Sequence, residues 1–158
     1  MSVTGGTAVV NSFELSVPEA TGRPAAYRPV EVVIDGVRLI DRVKRVEAPF
    51  AEQEGSPGLA GQYASLSAGT TFLPSRHFLG EPRPVFGRGG KAVVLVCTCG
   101  CEGCWDLVCR IDVTGRAVVW SGFEHAHRTW DYAPLGEFVF DRAQYEGQLV
   151  PVFGGSTS

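Results

Sequence analysis

With 158 residues, 44% of them hydrophobic, the chain has the length and apolar content of one domain with its own core. Its net charge of −3 carries no basic stripe, which argues against nucleic-acid binding. Its longest apolar runs, such as residues 92–96, fall far short of the roughly 20 residues that a membrane span needs. Charged residues at 20% disfavour long solvated helices, while 20 glycines and 10 prolines spread along the chain favour many short strands joined by turns.

Residues 1–11 are small and polar and read as a frayed tail. They hold no basic residue and no long apolar stretch, so no signal peptide is expected and the cytoplasm is the default location. Residues 13–17 alternate apolar and polar and predict a strand that Pro18 ends. Residues 31–34, Asp35-Gly36 and residues 37–46 predict a hairpin, because Asp-Gly supplies the two positive-φ positions of a type I′ turn. In its second arm Val37, Leu39 and Val43 are expected to face inward and Arg38, Arg42 and Lys44 outward. A break in the alternation near Ile40-Asp41 leaves room for a bulge. Residues 49–61 and 80–90, rich in Gly and Pro, read as loops, and residues 71–79 are apolar but interrupted by Pro74.

The clearest signal follows. Residues 91–98 and 105–113 predict two strands joined by a tight connection at 99–104, and residues 117–123 a third strand after the turn at 114–116, forming an antiparallel meander. Residues 124–136 read as irregular and aromatic. Asp141 is placed to cap a short helix over 142–149, which Gly147 weakens, and residues 154–158 form a tail. The expected fold is therefore mainly β (α+β), one domain over 1–158. A hairpin and a meander make a small sheet or sandwich, with a short C-terminal helix.

The chemistry concentrates in five cysteines, Cys97, Cys99, Cys101, Cys104 and Cys109. Five is odd, so they cannot all pair within one chain, and in a reducing compartment clustered cysteines more often serve metal or redox chemistry than structural disulfides. Strand alternation places Val93, Leu95, Cys97 and Cys99 on one face of the first strand and Trp105, Leu107, Cys109 and Ile111 on one face of the second, and these more apolar faces are both expected to point inward. Cys97 and Cys109 then read as buried small hydrophobes. Cys99, Cys101 and Cys104 sit at the tip with spacing C-x-C-x-x-C. Gly100 and Gly103 let the backbone curl so that three thiolates converge at about 2.3 Å on one zinc ion. A fourth ligand would come from Cys97, His125, His127 or His77. A disulfide or redox pair, Cys99 with Cys104 or Cys101 with Cys104, competes with this reading. It is weakened because Cys104 leads into a strand rather than a helix N-terminus that would lower a thiol pKa. Unmodified thiols are the third alternative.

His125 and His127, two apart in extended chain, point to one side and either join the cysteine tip or form a polar surface patch. Trp120, Phe123, Trp130 and Tyr132 read as core packing before they read as a stacking platform. Ser75 and His77 are too close in sequence to form a nucleophile–base pair, and no G-x-S-x-G elbow is present. The glycine-rich run 87–90 precedes a strand rather than a helix, which argues against phosphate binding.

The run Pro74-Ser75-Arg76-His77-Phe78-Leu79-Gly80, the hairpin from Cys97-Thr98-Cys99-Gly100 to Gly103-Cys104-Trp105, and the ending Phe138-Val139-Phe140-Asp141-Arg142 with Gln144-Tyr145-Glu146 resemble a family of small bacterial proteins that has no assigned activity. The resemblance spans roughly residues 63–149. It implies that Cys97, Cys99 and Cys104 form the shared cluster, with Cys101 and Cys109 as additions. The resulting expectation is a non-enzymatic cytoplasmic binding or accessory protein whose cysteine hairpin binds structural zinc. The alternatives are a thiol redox enzyme and a protein-partner module built on the aromatics around Trp130.

Overall fold

The computed structural model describes residues 10–17, 28–81, 87–88 (backbone only), 90–98, 105–125 and 128–150. The fold is mainly β. A three-stranded antiparallel sheet has the order β1 (Phe13–Ser16), β2 (Glu31–Ile34), β3 (Val37–Arg38). Helix α1 (Leu39–Gln53) follows, then β4 (Tyr63–Ala64) and a single turn of helix, α2 (Ala68–Thr71). β5 (Gly87–Arg88), β6 (Lys91–Cys97), β7 (Leu107–Val113), β8 (Ala117–His125) and β9 (Phe138–Asp141) join β4 in a second antiparallel sheet, and α3 (Arg142–Gln148) closes the described chain. The second sheet runs β4-β6-β7-β8-β9, with β5 also on β6. Among the described residues no helix is long and apolar enough to cross a membrane.

The Asp35-Gly36 turn forms as the sequence predicts, with φ of 53° and 81°. The second arm does not continue as a strand. After Arg38 the chain enters α1, and Leu39, Val43, Glu47 and Ala51 fall on one buried stripe at i, i+4 spacing. The same spacing that looked like broken alternation near Ile40-Asp41 is the helical period. The helix also takes in residues 49–53, which the glycine- and proline-rich composition assigned to a loop, and holds Pro49 within it at the cost of one main-chain hydrogen bond.

The meander β6-β7-β8 forms as expected, and β9, which the sequence reading did not identify, pairs with β8 from Ala117↔Asp141 to Trp120↔Phe138. Residues 92–96 of β6 are buried on both faces. The register shifts between Val93↔Val108 and Leu95↔Leu107. Leu107 and Val108 are neighbours on β7 and point opposite ways, so Val93 and Leu95 also lie on opposite faces. Strict alternation put them on the same one. A second shift, between Val108↔Glu124 and Arg110↔Ser121, contains Gly122 at φ 64°. Its carbonyl accepts from Lys91 Nζ at 2.8 Å.

The two sheets meet at Phe13. Its ring lies 5.7 Å from Trp120 and 5.0 Å from Phe140, and stacks on Tyr145 at 4.2 Å. Asp141 caps α3 as expected, accepting from the Gln144 N–H at 3.0 Å. Helix α3 in turn covers the outer edge of β1. The Gln144 amide accepts from Phe13 N–H at 3.0 Å and donates to Phe13 C=O at 2.5 Å, and Gln148 Oε1, one helical turn on, accepts from Leu15 N–H at 2.9 Å. Two glutamines thus stand where a neighbouring strand would, and they close an edge that would otherwise pair with another chain. Asn11, assigned to the frayed tail, is fixed: it exchanges bonds of 2.7 and 2.8 Å with Val139 and donates to Asp35 at 2.7 Å. The Ser12 N–H and then the Asn11 amide hold the Asp35 carboxyl below its usual range.

Candidate site at the cysteine-hairpin end of the sheet

Cross-strand register brings the sequence-predicted residues toward one end of the large sheet. Cys97, the last residue of β6, pairs with Tyr63. Leu95 pairs with Leu107, and Leu107 with His125, so alternation carries Tyr63, Cys97, Leu107 and His125 to a shared face. Trp105, just before β7, joins them. Its ring lies 4.1 Å from that of His125, edge to face, and the Tyr63 ring is 6.2 Å from His125. His125 is buried and Cys97 half-buried. Cys99, Cys101, Cys104 and His127, the remainder of the predicted ligand set, lie outside the described residues. Among the described residues no group of three or more His, Cys, Asp or Glu side chains is arranged to hold a metal ion.

Cys109 is fully buried in the core, as a small hydrophobe would be, and burial pushes its thiol well above the usual range. His77 sits away from this end. It is fully buried, and its Nε2 is 2.8 Å from the Val93 carbonyl, filling the gap on the outer edge of β6 between β5 and β4. Ser75 does not face it as a nucleophile: its Oγ donates to the Thr70 carbonyl at 2.7 Å.

Sequence reasoning missed the contribution of α1. Glu47, Phe50 and Glu54, at i, i+3 and i+7, bring the helix to the same end of the sheet. Glu47 is fully buried. Its Oε2 accepts from the hydroxyls of Tyr63 and Tyr132, each at 2.5 Å, and its Oε1 from the Gly61 N–H at 2.9 Å. One carboxylate thus ties α1 to the Gly61–Tyr63 segment that enters β4 and to the loop that carries Tyr132. Burial first, and then the Glu47 carboxylate, raises both phenols well above the ordinary tyrosine range. The available signal was Glu47 itself, a charge on the i, i+4 stripe of Leu39, Val43 and Ala51.

Further out, the rings of Trp105 and Trp130 stand at 80° with centroids 6.1 Å apart. The guanidinium of Arg128 lies 4.9 Å from the first and 5.8 Å from the second. Glu54 closes the corner. Its carboxylate accepts from Trp130 Nε1 at 2.8 Å and sits 3.4 Å from Arg128 Nε, and Phe50 stacks on Trp130 at 6.1 Å. Trp120, Phe123 and Tyr132 are core residues, as expected, whereas Trp130 is half-buried.

The fold and this polar–aromatic end define the molecule as an α+β domain of two antiparallel sheets. Comparison with family models, with curated proteins and with solved structures finds no match for the chain.

Proposed function

We propose that this domain is a non-enzymatic cytoplasmic binding or accessory protein whose cysteine hairpin is stapled by structural zinc. Cys97, Cys99 and Cys104 are the first three ligands, with Cys101, His125 or His127 completing the set. One observation carries the reading: Cys97 and His125, a thiol and an imidazole 28 positions apart, project from one sheet face at the end where the C-x-C-x-x-C run begins. Thiolates and an imidazole are the donors that a tetrahedral zinc site takes. Three polar groups elsewhere are spent on structure: Glu47 on its two tyrosines, His77 on a strand carbonyl, Ser75 on a helix carbonyl. None is set up as nucleophile and base. The raised Cys109 thiol argues against that residue as a redox nucleophile.

The test is elemental analysis of untagged protein purified under reducing conditions, with a native thiol count. The reading expects about one zinc per chain, and three or four unreactive thiols that a chelator releases. Absence of metal, with the hairpin thiols all reactive, would overturn it. A reversible disulfide with a thiol titrating below the ordinary value of about 8.5 would favour the redox alternative instead.

A further inference from the structure

We propose that the corner formed by Trp105, Trp130 and Glu54 is a recognition site for a guanidinium group, which the chain's own Arg128 fills until a ligand displaces it. The inference is independent of the zinc reading. Two indole rings at 80°, with a carboxylate bonded to the N–H of one, are the parts that recognise an organic cation: the rings attract it through their quadrupoles, and the carboxylate sets its orientation. Arg128 shows that a guanidinium fits, at 4.9 and 5.8 Å from the two ring centres and 3.4 Å from Glu54.

The corner is built rather than incidental. Phe50 backs Trp130, His125 backs Trp105, and the Trp130 N–H to Glu54 bond fixes both ring and carboxylate. It is also open. The side chains of Arg128 and Glu54 are 32% and 39% exposed, so the corner is accessible from solvent. The indole N–H of Trp105 is buried without an acceptor among the described residues, an unused donor beside the corner that a ligand carbonyl or carboxylate can take. The ligand class is thus a guanidino compound, either small and free or borne on the arginine side chain of a partner peptide.

The first experiment empties the corner with Arg128→Gly and titrates methylguanidinium chloride against a sodium chloride control, reading tryptophan fluorescence. We expect saturable quenching in Arg128→Gly and the same response at about tenfold higher concentration in the unmodified protein, where the ligand competes with Arg128. Adding Trp130→Leu to Arg128→Gly should abolish the response. A folded Arg128→Gly protein with no saturable response, or a response that survives Trp130→Leu, would overturn the proposal. Should Arg128→Gly not fold, the unmodified protein decides: methylguanidinium should shift the Arg128 Nε–H resonance toward that of a solvated arginine, and an unmoved resonance refutes the site. Tighter binding of N-acetylarginine amide than of methylguanidinium identifies the peptide source, and equal binding the free compound.

Discussion

Replacing Glu47 by leucine tests whether one buried carboxylate holds the cysteine-hairpin end together. Leucine is close to glutamate in volume, so Glu47→Leu opens little cavity, and its cost comes from the donors it abandons. The hydroxyls of Tyr63 and Tyr132 lie in the interior and lose their acceptor at 2.5 Å, whereas Gly61 N–H is nearer solvent and finds water. A buried donor left unsatisfied costs about 1–3 kcal/mol, and relief from burying the carboxylate offsets part of the two. The expected net loss is about 3 kcal/mol, measured by urea unfolding followed through tryptophan fluorescence. The diagnostic variant adds Tyr63→Phe and Tyr132→Phe to Glu47→Leu. With no hydroxyl left to satisfy, about 2 kcal/mol should return even though more polar groups have been removed. A loss below about 1 kcal/mol in the single variant, or a triple variant no more stable than the single one, would refute the reasoning.

Gln144→Leu removes the two-way amide bond to Phe13 and uncovers the β1 edge; we expect a loss of about 2 kcal/mol together with concentration-dependent association, read by light scattering. His77→Leu strips Val93 of the side-chain partner on the outer edge of β6 and should cost about 2 kcal/mol, while His77→Gln, which can donate to the same carbonyl, should recover part of it; equal losses in the two would count against the bond. Stability should fall at alkaline pH. Tyr63, Tyr132 and Tyr145 are held above the usual phenol range, first by burial, so the unfolded chain releases protons from about pH 10 while the native state keeps them. Stability is therefore full below that pH and is lost as pH rises through it. Tyr145→Phe should remove about 1.4 kcal/mol in total from the decline between pH 8 and 11, read from urea unfolding free energies across that range.

Local rules carried much of this protein. The Asp35-Gly36 turn, the β6-β7-β8 meander and the Asp141 cap follow from residue types at fixed offsets, because positive-φ turns, period-two burial and N-caps are decided by immediate neighbours. That all five cysteines fall between positions 97 and 109 was equally plain in the chain. What local rules could not decide was whatever depends on partners far along it. Residues 39–53 satisfy both a broken strand and a helix, and burial of Leu39 and Val43 in the main core selects the helix. The bulges that separate Val93 from Leu95 and seat Gly122 come from fitting strands of unequal register, which no single strand records. The Gln144 and Gln148 edge cover and the Glu47 hub are side chains satisfying backbone or hydroxyl groups 14 to 133 positions away. Nothing near Gln144 and Gln148 marks them, and Glu47 shows locally only as a charge on an apolar helical stripe, because burial, which makes an unpaired donor costly, arises when the chain closes on itself.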